Sequence, residues 1–182
     1  MRHIKFIRSI SLIISLFLIT SCSNNSAMKP EDFKNKEPRL IIEEYLSGNV
    51  KAWGVLQNRS GKVTRQFSAD LNGSWDGKQL ILNEKFNWDD GEVQNREWTI
   101  NKIDENNYEG TAGDVVGKAI GYSYGPAFKF EYVLLVPVKG KEMKITFDDW
   151  IFKQDDRVAI NRATMTKFGF KVAELTVVFV KD

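Results

Sequence analysis

From Val50 onward, apolar side chains recur with a period of two. Leu80, Leu82, Glu84, Phe86 and Trp88 alternate with Ile81, Asn83, Lys85 and Asn87. Phe128, Phe130, Tyr132, Leu134 and Val136 alternate with Lys129, Glu131, Val133, Leu135 and Pro137. Met143, Ile145, Phe147, Asp149 and Ile151 alternate with Lys144, Thr146, Asp148, Trp150 and Phe152. This is the pattern of antiparallel strands with one face on a core and one in water. The runs break at Asn58-Arg59-Ser60-Gly61, Asp76-Gly77, Asp89-Asp90-Gly91, Asp104–Asn107 and Lys139-Gly140, all of them turn chemistry. The spacing predicts nine or ten strands near 50–57, 62–74, 78–88, 92–102, 107–113, 117–124, 127–138, 141–153, 157–166 and 171–181. No helix-length amphipathic segment lies between them, so consecutive strands must join by hairpins. A meander this long removes its edges by closing on itself. The expected fold is all-β: an antiparallel, up-and-down, lipocalin-like β-barrel with a short N-terminal helix. A two-sheet sandwich is the alternative.

That helix is expected in Arg39–Gly48, where Leu40, Ile41, Ile42, Tyr45 and Leu46 follow Pro38 and precede Gly48. At one or two turns it would act as a plug over one barrel end. Ahead of it, residues 23–38 are polar with two prolines and read as a flexible tether, spanning roughly 20–25 Å as a random coil. Earlier still, Arg2, Lys5 and Arg8 precede an apolar run over residues 10–19. The run is too short to span a bilayer, which needs about 20 residues; it is built like a secretory signal. Ile19-Thr20-Ser21-Cys22 resembles the bacterial lipobox, which implies cleavage before Cys22 and its lipidation. Several acyl chains anchor stably where one is marginal. Ser23, in place of the Asp of inner-membrane retention signals, points to the outer membrane, facing the periplasm. The expected organisation is a signal peptide over 1–21, an acylated cysteine with its tether over 22–38, and a barrel domain over 39–182.

Cleavage changes the charge. The precursor of 182 residues has 26 Lys+Arg against 24 Asp+Glu. Loss of residues 1–21 removes three bases and no acid, leaving 23 against 24, a net charge of −1. A near-neutral domain has no electrostatic footprint for nucleic acid. The single histidine is His3 and the single cysteine is Cys22. The mature domain therefore cannot hold a Ser-His-Asp triad, a cysteine nucleophile, a disulfide or a His/Cys zinc site. Neither glycine-rich phosphate motif occurs. Asp89-Asp90 and Asp148-Asp149 offer oxygen ligands, but adjacent strand residues point to opposite faces, so no metal site is expected. No cofactor is implied.

The informative residues are charges on the apolar parity. Glu84 shares its face with Leu82 and Phe86, Arg96 with Trp98 and Ile100, Asp149 with Phe147 and Ile151, and Arg162 with Val158 and Ile160. Buried charges must be paired or must bind something. One reading is an internal salt-bridge network of Glu84 and Asp149 with Arg96 and Arg162. The other is a ligand clamp, in which Arg96, Arg162 and Tyr132 resemble the Arg/Tyr carboxylate clamp of small fatty-acid-binding barrels. Trp88, Trp98 and Phe130 would line such a pocket. Asp114 reads as a turn cap.

Several segments carry a family resemblance: Trp53–Gly61, Leu82–Phe86, Asp90-Gly91 through Trp98, Gly110–Gly117, Phe147–Trp150 and Asn161–Gly169. In the same order they resemble the proteobacterial lipoprotein family catalogued as domain of unknown function 3833, over nearly all of residues 40–182. The family usually has Asp where this chain has Asn83. The resemblance implies no activity. The expected function is an outer-membrane-anchored, non-enzymatic barrel that binds a fatty acid, lipid or other small apolar molecule. The alternatives are a structural or interaction lipoprotein with a filled barrel, and a barrel isomerase or cyclase using a buried carboxylate. No protein partner is specified.

Overall fold

The computed structural model describes residues 27–138 and 140–182. The expected signal peptide and the lipidation site Cys22 lie outside the described residues. Ten antiparallel strands follow one another: β1 (Gly48–Asn58), β2 (Val63–Trp75), β3 (Gln79–Trp88), β4 (Val93–Lys102), β5 (Asn107–Thr111), β6 (Ala119–Tyr124), β7 (Ala127–Val138), β8 (Lys141–Lys153), β9 (Val158–Lys167) and β10 (Phe170–Lys181). Each pairs with the next, and β1 pairs with β10, so the sheet closes as an up-and-down barrel. The sandwich alternative is excluded.

Residues directly opposite in a ladder share a face. The register sets Leu82 against Trp98, Glu84 against Arg96, Phe130 against Asp149 and Tyr132 against Phe147. Large rings fill the interior where the facing strand is bare. A Cβ on Gly110 would lie 2.4 Å from the Phe130 ring, which explains the glycine there.

β9 departs from the expected parity. Ala159, Asn161 and Ala163 are buried, and Arg162 faces water. β9 has apolar residues on both parities, so its periodicity could not choose between them. The pairings Ile151–Asn161 and Asp149–Ala163 choose, because Ile151 and Asp149 already face inward.

The chain before β1 closes one end. α1 (Ile42–Tyr45) lies within a segment whose Leu40, Ile42, Tyr45 and Leu46 side chains are buried. Burying four such side chains is worth up to about 6–12 kcal/mol of transfer free energy. Ser123 Oγ donates to the Leu40 carbonyl at 3.0 Å and Tyr45 Oη to the Arg157 carbonyl at 2.9 Å. Glu43 is buried in this plug, where Lys102 and Tyr108 Oη (2.9 Å) donate to its carboxylate. Burial raises its pKa, but these donors overcome that effect and hold it below the usual carboxylate value.

Part of the expected tether is docked. Pro30–Phe33 form a 3-10 turn on the outer wall. The Phe33 ring lies 6.0 Å from Trp150 and 5.5 Å from Phe152. Trp150 faces outward yet is buried, with Lys129 Nζ 5.4 Å over its ring. One aromatic in a polar stretch is enough to seat this segment against a matching pair.

Candidate ligand-binding interior

The barrel is not packed solid. A cavity of about 350 Å³ lies toward the end opposite the plug, between Leu56, Trp88, Leu134, Pro137 and Met165. A second of about 100 Å³ lies below it, among Trp98, Ile100, Phe128, Phe130 and Val177. Phe67, Phe86, Arg96, Tyr132 and Leu175 line both. Arg96 and Tyr132 thus form a polar tier bordering both cavities, with Glu84 and Asp149 lining the lower one and Arg65, Glu92 and Asp114 the upper.

Arg96 is the centre of that tier. Its Nε and Nη2 donate to the Asp114 carboxylate, at 3.1 Å and 2.7 Å, a forked pair. Its Nη1 lies 3.7 Å from Glu84 Oε2, an ion contact without a hydrogen bond. Glu84 Oε2 is buried and accepts no hydrogen bond from the protein. Burial pushes the Glu84 carboxyl up from 4.5 to about 7, opposed by Arg96 and reinforced by Asp149. Near neutral pH this group can either donate or accept a proton.

Asp114 does more than cap a turn. It sits between β5 and β6, where Leu135 N donates to its carbonyl at 2.9 Å and Val116 N donates to the Val133 carbonyl at 2.8 Å. These bonds pin the connection against β7 and bring the carboxylate to Arg96. Its partner is 18 residues away, so no local pattern revealed the role.

Asp149 faces inward and Asp148 outward, toward Lys129 at 3.5 Å. Tyr132 Oη donates to Asp149 at 2.8 Å, and Asn161 Nδ2 donates to its other oxygen. Burial raises the Asp149 pKa despite these two donors. Burial also drives Tyr132 well above the usual phenol value. The predicted residues thus separate. Glu84, Arg96, Tyr132 and Asp149 share the interior, with Trp98 and Phe130 beside the lower cavity and Trp88 beside the upper. Arg162 is corrected: it lies outside and pairs with Glu174. A two-arginine clamp therefore does not form, and the four-charge network becomes Glu84–Arg96–Asp114 with Asp149 on neutral donors.

One interior residue was missed. Arg65 shares its parity with Phe67, Ala69 and Leu71, so the same signal that selected Arg96 applied to it. Its guanidinium lies 4.0 Å over the Trp88 ring and pairs with Asp90 and Glu92 at 2.8 Å. Arg65 Nε and Trp88 Nε1 are buried donors without a protein acceptor. They stand beside the upper cavity.

No curated protein matches the chain by sequence. Solved structures share its fold, two of them with a TM-score near 0.6. One is the S-type phycobiliprotein lyase CPES from Guillardia theta, with a TM-score of 0.58 at 10% identity over 77% of this chain and 90% of that one. The other is a protein with unknown function from the DUF3598 family of Nostoc punctiforme PCC 73102, with a TM-score of 0.60 at 15% identity. That match covers 81% of this chain and 51% of the other. A family model matches residues 16–181, nearly the whole barrel and its approach, and by that match the chain belongs to the family described as protein of unknown function (DUF3833).

Proposed function

We propose that this barrel binds one small, mainly apolar molecule, and that an acylated Cys22 holds it at the outer membrane, facing the periplasm. The observation that carries the ligand reading is the pair of cavities, each lined mainly by apolar side chains, that share a polar tier. The upper one falls within the size range of small-molecule sites. Trp88 Nε1 and Arg65 Nε offer donors to a carbonyl, ester or ether oxygen there, and Glu84 Oε2 offers an acceptor deeper in. Arg96 is already engaged by two acids, and Asp149 adds a third. Carboxyl groups therefore outnumber free cations, which favours a neutral lipid-like molecule over a free fatty-acid anion held by arginine. The anchor reading rests on the resemblance of residues 19–22 to a lipobox.

The test is native mass spectrometry of the full chain extracted from bacterial membranes. Retention of a discrete small-molecule adduct is expected, and Met165→Trp, which fills the upper cavity, removes it. Wild-type chain free of any adduct, and unable to take up monoacylglycerol added to the extract, would overturn the ligand reading. The intact mass reads the anchor as well: an unmodified chain beginning at Met1 would refute acylation.

One observation favours a second reading. A carboxyl group with pKa about 7 beside a cavity is suited to acid–base work, as in a barrel isomerase. In that case Glu84→Gln leaves ligand capture intact while its conversion stops; under the binding reading, the captured molecule leaves chemically unchanged from both proteins.

A further inference from the structure

The hairpin between β9 and β10 presents two large apolar rings to water. Phe168 is 89% exposed and Phe170 is 77% exposed. Phe168 and Gly169 form the turn with φ of +52° and +80°. Positive φ is uncommon for a bulky side chain, and Asn-Gly is the low-strain choice in a two-residue hairpin. A strained, exposed phenylalanine contributes nothing to the folding of the barrel. Val63, Val138 and Val172 add exposed apolar surface at the same end, the end toward which the upper cavity lies.

The surrounding charge is mainly positive. Arg59 and Lys62 in the β1–β2 turn, Lys141 and Lys144 on β8, and Lys167 and Lys171 on the hairpin make six cations. Glu142 and Glu174 are the acids beside the hairpin, and Glu174 pairs with Lys171 and Arg162; Asp89, Asp90 and Glu92 lie at the same end in the β3–β4 turn, where Asp90 and Glu92 pair with Arg65. Lys167 Nζ lies 5.3 Å over the Phe168 ring centre.

We propose that this end of the barrel docks on an anionic lipid surface. Phe168 and Phe170 enter the boundary between headgroups and acyl chains, and the surrounding lysines and arginines meet the phosphates. The shape favours lipid over protein. A two-residue tip is a wedge, whereas a stable protein interface needs about 800 Å² from each partner. A bilayer yields around a wedge. The docking would bring the upper cavity to the membrane, but it rests on the hairpin alone and does not require a ligand in the barrel.

The experiment uses the full chain in nanodiscs, mixed with vesicles of phosphatidylglycerol and phosphatidylcholine. Both bilayers carry brominated acyl chains. Phe168→Cys bears a nitrobenzoxadiazole label; labelled wild type in parallel gives the signal from Cys22, and labelled Asp156→Cys reports the plugged end. At position 168 the emission shifts to the blue and is quenched about twofold or more, while at 156 it does neither. Replacing Lys62, Lys141 and Lys167 by Glu weakens vesicle binding at least about fivefold per cation removed. Equal, unquenched emission at both positions overturns the proposal. A blue shift without bromine quenching also overturns it, since the tip would then be covered by protein.

Discussion

The buried Glu84 carboxyl gives a signed, measurable consequence. In the folded barrel its pKa is raised from 4.5 to about 7, chiefly by burial. Below the unfolded value the group is protonated in both states, and its favourable contribution is fully present. As pH rises toward 7 the unfolded chain ionises while the folded chain keeps its proton, so stability falls; above the folded value the loss is complete. Each pH unit between the two values is worth about 1.4 kcal/mol, and the interval amounts to ~3 kcal/mol. Glu84→Gln retains the shape and removes the ionisation. Its stability relative to wild type should therefore rise by ~3 kcal/mol between pH 4 and pH 8. For a domain of this size that is a relative gain in Tm of about 6–12 °C. Asp149 also has a raised pKa and repels the Glu84 carboxylate, so the difference between the two proteins reads the titration of this coupled pair. Urea unfolding at half-unit pH steps reads the effect. Two parallel stability curves, separated by a constant amount from pH 4 to 8, would refute the claim that burial raises the Glu84 pKa.

Three further outcomes follow from the same geometry. Arg96→Met strands Asp114 and Glu84 and should cost about 3–5 kcal/mol, whereas Arg162→Met, on the outer wall, should cost under about 1 kcal/mol; denaturant midpoints that reverse this order would return Arg162 to the interior. Lys102→Met leaves Glu43 buried without its cation and should cost about 3 kcal/mol near neutral pH. The depressed pKa of Glu43 gives stability present above 4.5 and lost in acid, so the variant should also have a flatter acid limb in thermal scans. Gly110→Ala drives a methyl into the Phe130 ring and should cost ~1–3 kcal/mol by calorimetry; a neutral result would mean that the ring has room to move.

Much of this protein was legible from local pattern. Ten strands lie within a few residues of the expected runs, because alternation and turn residues are local signals, and the closed meander followed from the absence of any crossover helix. The same alternation placed Glu84, Arg96 and Asp149 inside and set Asp148 apart from Asp149. Three features needed the fold. Val158 and Ile160 drew Arg162 to the inward parity, but Ala159 and Ala163 hold that face, and pairing with β8 turns Arg162 outward. Asp114 met Arg96 only because a connection is pinned across β7. Phe33, alone in a polar stretch, became an anchor only when β8 offered Trp150 and Phe152. Strand periodicity is a property of neighbours along the chain. Which charge meets which, and how much space the side chains leave between them, depends on register and closure, and these bring together residues tens of positions apart.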